Sequence, residues 1–127
     1  MASKDFETGL LNLLHLISLE DGVKDETEKK AIQRIKDIEN ISEESYQEFD
    51  AKIRSLSRNE IFDLGIDAIR RCPTDEVKRI FAWIYVISEV DGEVHVREAR
   101  FILYVLKALN LDLDEIQKIS KTLPSIV

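Results

Sequence analysis

Apolar residues recur along the chain mainly at three- and four-residue spacing, the period of a helix with one face turned to a core. Tyr46, Phe49, Ile53 and Leu56 make one such stripe, and Ile32, Ile35 and Ile38 make another. No stretch alternates apolar and polar residues convincingly in the manner of a strand. Capping residues mark the helix starts. In Ser57-Arg58-Asn59-Glu60 the serine hydroxyl is placed to accept from a backbone N–H one turn on, and Glu60 to reach back to the Ser57 N–H. Asp25-Glu26-Thr27-Glu28 and Asp112-Leu113-Asp114-Glu115 have the same form with Asp as the cap, and Ser42 and Thr74 are simpler caps. Pro73 ends the helix before it. The pattern predicts seven helices, at about 4–20, 26–39, 43–56, 58–71, 75–90, 96–109 and 113–122.

The same pattern occurs twice. "SLEDGVKDETEKKAI" at 18–32 and "SEVDGEVHVREARFI" at 88–102 share Ser, Asp-Gly, a Glu seven residues after the Asp, and Ile. At the same offset of seventy, Leu10 meets Ile80, Leu11 meets Phe81, Leu14 meets Ile84 and Ile17 meets Ile87, while Asn40 meets Asn110 and Ser42 meets Asp112. No gap is needed. The sequence therefore predicts an all-α, single-domain helical bundle with an internal duplication. Two three-helix units, about 4–56 and 75–122, flank a linking helix at about 58–71. Apolar side chains surround most of "RFILYVLKAL" but keep to one stripe of "KAIQRIKDI". Helices 75–90 and 96–109 are thus expected at the centre, and helix 26–39 nearer the surface.

Composition narrows the function classes. A chain of 127 residues, 44% of them apolar, is long enough to bury a core without staples. Its net charge of −7 repels phosphate backbones, which argues against nucleic acid as a partner and suits cations or basic protein surfaces. The single cysteine, Cys72, allows no internal disulfide and fits a reducing cytoplasm. The acidic N-terminus does not read as a signal peptide, and the most apolar window, Ile80 to Ile87, is too short to span a membrane.

The paired acidic turns are the candidate chemistry. As corners, Gly22 and Gly92 can take positive φ, Asp21 and Asp91 can bond nearby backbone, and Glu28 and Glu98 suit the first turn of the next helix. As ligands, the same Asp and Glu, with free carbonyls at the helix end, can converge on a hard divalent cation such as Ca²⁺, Mg²⁺ or Mn²⁺. Asp25 or Glu26 in the first unit and Glu89 or Glu93 in the second can add charge. The EF-hand loop pattern is absent.

These residues carry a family resemblance. The Asp-Gly-x-apolar-x-x-x-Glu pattern, complete at Asp91, Gly92, Val94 and Glu98, resembles the TerB-like domains of tellurite-resistance proteins. In the first unit Asp21, Gly22 and Glu28 match, with Lys24 where the apolar residue stands; Glu20 and Val90 occupy the place of the family's usual alanine. The resemblance runs over nearly the whole chain, to the "LNLDLDE" near Leu109 to Glu115. It implies an all-helical repeated bundle, an acidic metal-binding surface and a stress-response role exercised through protein complexes.

The remaining reactive residues read as structural. His95 suits a surface or capping role, His15 sits inside an apolar stretch, and Trp83 lies in the most apolar helix. Neither histidine forms a recognisable catalytic signature with Cys72. No Gly-rich phosphate loop, H-E-x-x-H or G-x-S-x-G occurs, so no catalytic activity is expected. The rival expectation is a metal-free interaction domain whose acidic turns are only corners. The sequence identifies no partner, oligomeric state or link to tellurite.

Overall fold

The computed structural model describes the backbone of residues 4–20, 26–88 and 96–123 and, within these, the side chains of 4–16, 30–87, 100 and 103–123. The described residues form seven α-helices and no strand: α1 (Lys4–Glu20), α2 (Glu26–Ile38), α3 (Glu43–Ile53), α4 (Arg58–Arg70), α5 (Thr74–Ser88), α6 (Val96–Ala108) and α7 (Leu113–Ser120). Starts of α1 and α5 (4 and 74), α2 and α6 (26 and 96), and α3 and α7 (43 and 113) are each seventy residues apart. α2 packs on α5, and α6 packs on both α5 and α1. α4 lies along α1.

Local chemistry explains the boundaries. Ser57 Oγ accepts from the Glu60 N–H at 3.2 Å and Glu60 Oε1 accepts from the Ser57 N–H at 3.0 Å, so the capping box at α4 is complete. These bonds favour the carboxylate and hold Glu60 below its ordinary pKa. Ser42 caps α3 by accepting from the Ser45 N–H. At α7 the predicted box is only half made. Asp112 accepts from the Asp114 N–H at 3.0 Å, whereas Glu115 turns to the Lys78 ammonium on α5. The box at Asp25 and the Asp-Gly turns lie outside the described residues.

Two helices end alike. Asn40 and Asn110 both stand at φ 58° after α2 and α6. In each turn the following residue, Ile41 or Leu111, donates its N–H to a carbonyl five residues back at 2.9 Å. The asparagine itself donates to the carbonyl three back. This is the Schellman arrangement, with Asn in the left-handed position that glycine more often fills.

Burial corrects one expectation. α5 is central as predicted: Ile80, Phe81, Ala82, Trp83, Ile84 and Ile87 are at most 3% exposed. Its fellow at the centre is α1, not α6. Phe6, Leu10, Leu11, Leu13, Leu14 and Leu16 are likewise at most 3% exposed, while Leu103 and Tyr104 on α6 are 53% and 66% exposed. α6 turns Val105 and Leu106 inward and leaves the opposite face out. α1 meets α4, α5 and α6, and so buries residues on several faces. α2 is not peripheral either, for Ala31, Ile35 and even Lys36 are buried.

α1 and α4 approach closely because each carries a glycine at the crossing. A methyl group on Gly9 would stand 2.6 Å from Ile69 Cγ1, and one on Gly65 would stand 2.9 Å from Asn12 Cβ. Asn12, 3% exposed, uses that space to donate from Nδ2 to the Ile61 carbonyl at 3.0 Å.

Candidate functional site

The two acidic segments fall between α1 and α2 and between α5 and α6. Asp21 follows directly on α1 and Asp91 stands three residues beyond α5; Glu28 and Glu98 are each the third residue of the next helix, α2 and α6. Asp21 and Asp91, with Gly22, Gly92, Asp25, Glu89, Glu93 and His95, lie outside the described residues, as do the side chains of Glu26, Glu28 and Glu98. Among the described residues no group of three or more His, Cys, Asp or Glu side chains is gathered to hold a metal. Nor is any helix there long and apolar enough to cross a membrane.

The other reactive residues can be placed. Cys72 is partly buried, its Sγ–H donating to the Ala68 carbonyl at 3.4 Å. Burial and the Glu76 and Asp5 carboxylates push its pKa up to about 11, so it is a thiol rather than a thiolate nucleophile at neutral pH. His15 packs edge-on to Phe49, ring centroids 6.1 Å apart, which fits its reading as a packed residue. Trp83 is fully buried and donates Nε1–H to Glu39 Oε1 at 2.8 Å; the same oxygen accepts from Arg79. The sequence reading gave Glu39 no role, yet it ties the end of α2 to α5 through both partners.

Lys36 is a second buried charge. Its ammonium lies 3.3 Å from Glu43 Oε2 and 3.7 Å from the centre of the Tyr46 ring. Burial, with the Asp50 and Glu43 carboxylates, raises the Tyr46 pKa. The corresponding position on α6 is Leu106, so Lys36, Glu43 and Tyr46 bind α2 to α3 in a way the second unit lacks.

Among the described residues two shallow clefts stand out, one of about 200 Å³ lined by Leu16, Arg58, Asn59, Phe62 and Tyr104, the other beneath α3. No residue of α3 is fully buried, and some 150 Å³ lies open between α1, α3 and α4. Leu11 and Asn12, each 3% exposed, contribute the most buried side chains of its lining. Phe49, Ile53, Leu56 and Leu64, all partly buried, line it further. Lys4 and Glu48, also in its lining, form an exposed ion pair at 3.2 Å. Asn12, part of this lining, donates from Nδ2 to the Ile61 carbonyl. Seventy residues on, the buried Phe81 stands for Leu11 and the buried Ala82 for Asn12. The sequence reading missed this cleft. Its one legible sign was an asparagine set among the leucines of "LLNLLHLI".

No known protein-family model, curated protein or solved structure matches the chain.

Proposed function

We propose that the chain is a non-enzymatic, internally duplicated helical module of the TerB-like kind, acting within protein complexes in a cytoplasmic stress response. In this reading a hard divalent cation, Ca²⁺, Mg²⁺ or Mn²⁺, binds at the acidic corners, principally through Asp91 and Glu98 and more weakly through Asp21 and Glu28. The observation that supports it is register. Helix starts seventy residues apart make Glu28 and Glu98 the third residues of α2 and α6, and in the sequence an Asp stands seven residues before each. The raised Cys72 pKa argues against a thiolate nucleophile there.

Thermal unfolding with each metal tests the cation. A metal at about 100 times its Kd adds roughly 2.7 kcal/mol, a rise in Tm of several degrees for a domain of this size. The rise should vanish in Asp91→Asn and shrink in Asp21→Asn. If no metal moves wild type beyond a matched ionic-strength control, the corners are structural. A second reading, a metal-free adaptor, then takes precedence. It draws support from the exposed Leu103 and Tyr104, an apolar pair on α6 with Tyr104 against Phe62 at 6.1 Å between ring centroids.

A further inference from the structure

The exposed faces of α2 and α6 differ in kind. Lys30, Gln33, Arg34 and Asp37 of α2 stand seventy residues before Arg100, Leu103, Tyr104 and Lys107 of α6, and all of them are exposed. On α2 each of these side chains is polar. On α6 the middle two are Leu103 at 53% and Tyr104 at 66% exposure, the exposed large apolar side chains among the described residues. Positions that α2 fills with polar residues thus carry apolar ones on α6, and burial within the chain does not account for them. Beside them lies the cleft of about 200 Å³ lined by Leu16, Arg58, Asn59, Phe62 and Tyr104. Leu16 is 1% exposed, and the partly buried Phe62 ring stands 6.1 Å from that of Tyr104, so much of the wall is apolar. There is room for one ring-sized side chain, since a cavity of about 150 Å³ holds benzene.

The charge around this patch is opposite to that of the molecule. The chain carries −7 overall, yet from residue 99 to its end α6 has Arg100 and Lys107 and no carboxylate. At helical spacing these two cations lie one turn to either side of Leu103 and Tyr104. The exposed Arg58 stands in the cleft lining, and among the described residues no carboxylate does; Asp63, next to Phe62 on α4, is exposed but outside the lining. An apolar patch bracketed by one sign of charge favours partners of the other sign and rejects its own. A two-fold contact between copies of this chain would set Arg100 and Lys107 against the same cations, because such an interface repeats one surface on both sides.

We infer that this face binds a short acidic segment of another protein. One apolar side chain of that segment enters the cleft beside Phe62 and Tyr104, its carboxylates meet Arg58, Arg100 and Lys107, and Leu103 is covered. The inference rests on the reading that the module works within protein complexes and needs no cation at the acidic corners, so its test is run without metal.

A random-peptide phage library is panned on the full chain at low salt, and the recovered sequence is synthesised and titrated by fluorescence anisotropy. Recovered peptides should be rich in Asp and Glu around an aromatic residue or leucine, and binding should weaken as salt rises. Arg100→Glu with Lys107→Glu, and separately Leu103→Gln with Tyr104→Gln, should each weaken binding about tenfold or more. Lys30→Glu with Arg34→Glu changes the net charge equally on α2 and should leave binding unchanged. All these positions are exposed, and circular dichroism should show the helices intact; if one α6 variant does not fold, the other decides. The inference is overturned if no acidic peptide with an apolar residue is recovered, if the α2 variant weakens binding as much as the charge variant of α6, or if Leu103→Gln with Tyr104→Gln binds as wild type does. It is overturned equally if sedimentation shows a dimer that the α6 variants dissolve, or if phosphatidylserine vesicles bind through the same residues more tightly than the peptide, since a second copy or a lipid surface is then the occupant.

Discussion

Asn12 and Gly65 depend on each other. A polar side chain at 3% exposure within a leucine-rich helix needs a partner, and Asn12 finds one in the Ile61 carbonyl of the neighbouring helix. It reaches that carbonyl only because residue 65 has no side chain. Replacing a mid-helix glycine by alanine ordinarily stabilises by up to about 1 kcal/mol. Here the sign reverses. Gly65→Ala sets a methyl carbon 2.9 Å from Asn12 Cβ, and Gly9→Ala sets one 2.6 Å from the buried Ile69. Each variant should lose about 1–3 kcal/mol in urea unfolding, the usual cost of overpacking. Stabilisation in either would mean that the helices do not approach so closely. Both glycines fall inside helices that the sequence predicts correctly, yet nothing in the sequence says what faces them. The facing residue lies more than fifty positions away, and periodicity reports a residue's own face but not its neighbour across a crossing.

Element boundaries were the most legible part of the chain, because caps are local. The Ser57–Glu60 box, the Ser42 cap and the Asp112 cap each fix a start with side chains at most three residues away. The Asn turns are equally local. Asn40 and Asn110 share φ 58° and the same pair of backbone hydrogen bonds, so equal substitutions should give equal effects. Asn40→Ala and Asn110→Ala should each cost about 1 kcal/mol, since alanine resists the left-handed conformation, while the glycine variants should stay within about 0.5 kcal/mol of wild type or exceed it. A cost at one turn and none at the other, measured by thermal unfolding, would refute equivalence of the two turns. Pairings between elements were not legible in this way. Glu115 looked like half of a capping box, but Lys78 of α5 lies within reach and takes its carboxylate. A partner on another helix thus displaced the local bond that the sequence suggested.

Across the whole molecule, the seventy-residue register predicts burial better than the apolar content of single helices does. α1 and α5 start at corresponding positions, 4 and 74, and both are central; Leu10 and Ile80, Leu13 and Trp83, and Leu14 and Ile84 are all at most 1% exposed. α2 and α6 also correspond. α2 packs on α5 and α6 on α5 and α1, and the apolar residues ringing α6 exceed what one inward face can hide. Surplus apolar surface on α6 therefore ends in solvent at Leu103 and Tyr104. The acidic corners, by contrast, were legible only as a motif, because their carboxylates convey no geometry until the turn between helices is set. The burial contrast is directly measurable. Leu13→Ala and Ile84→Ala, one on each central helix, should each cost about 2–5 kcal/mol. Leu103→Ala, 53% exposed in wild type, should change stability by no more than about 0.5 kcal/mol. Denaturant unfolding of the three variants separates the two pictures. If α6 were central in place of α1, Leu103→Ala would cost as much as Ile84→Ala, and Leu13→Ala would cost little.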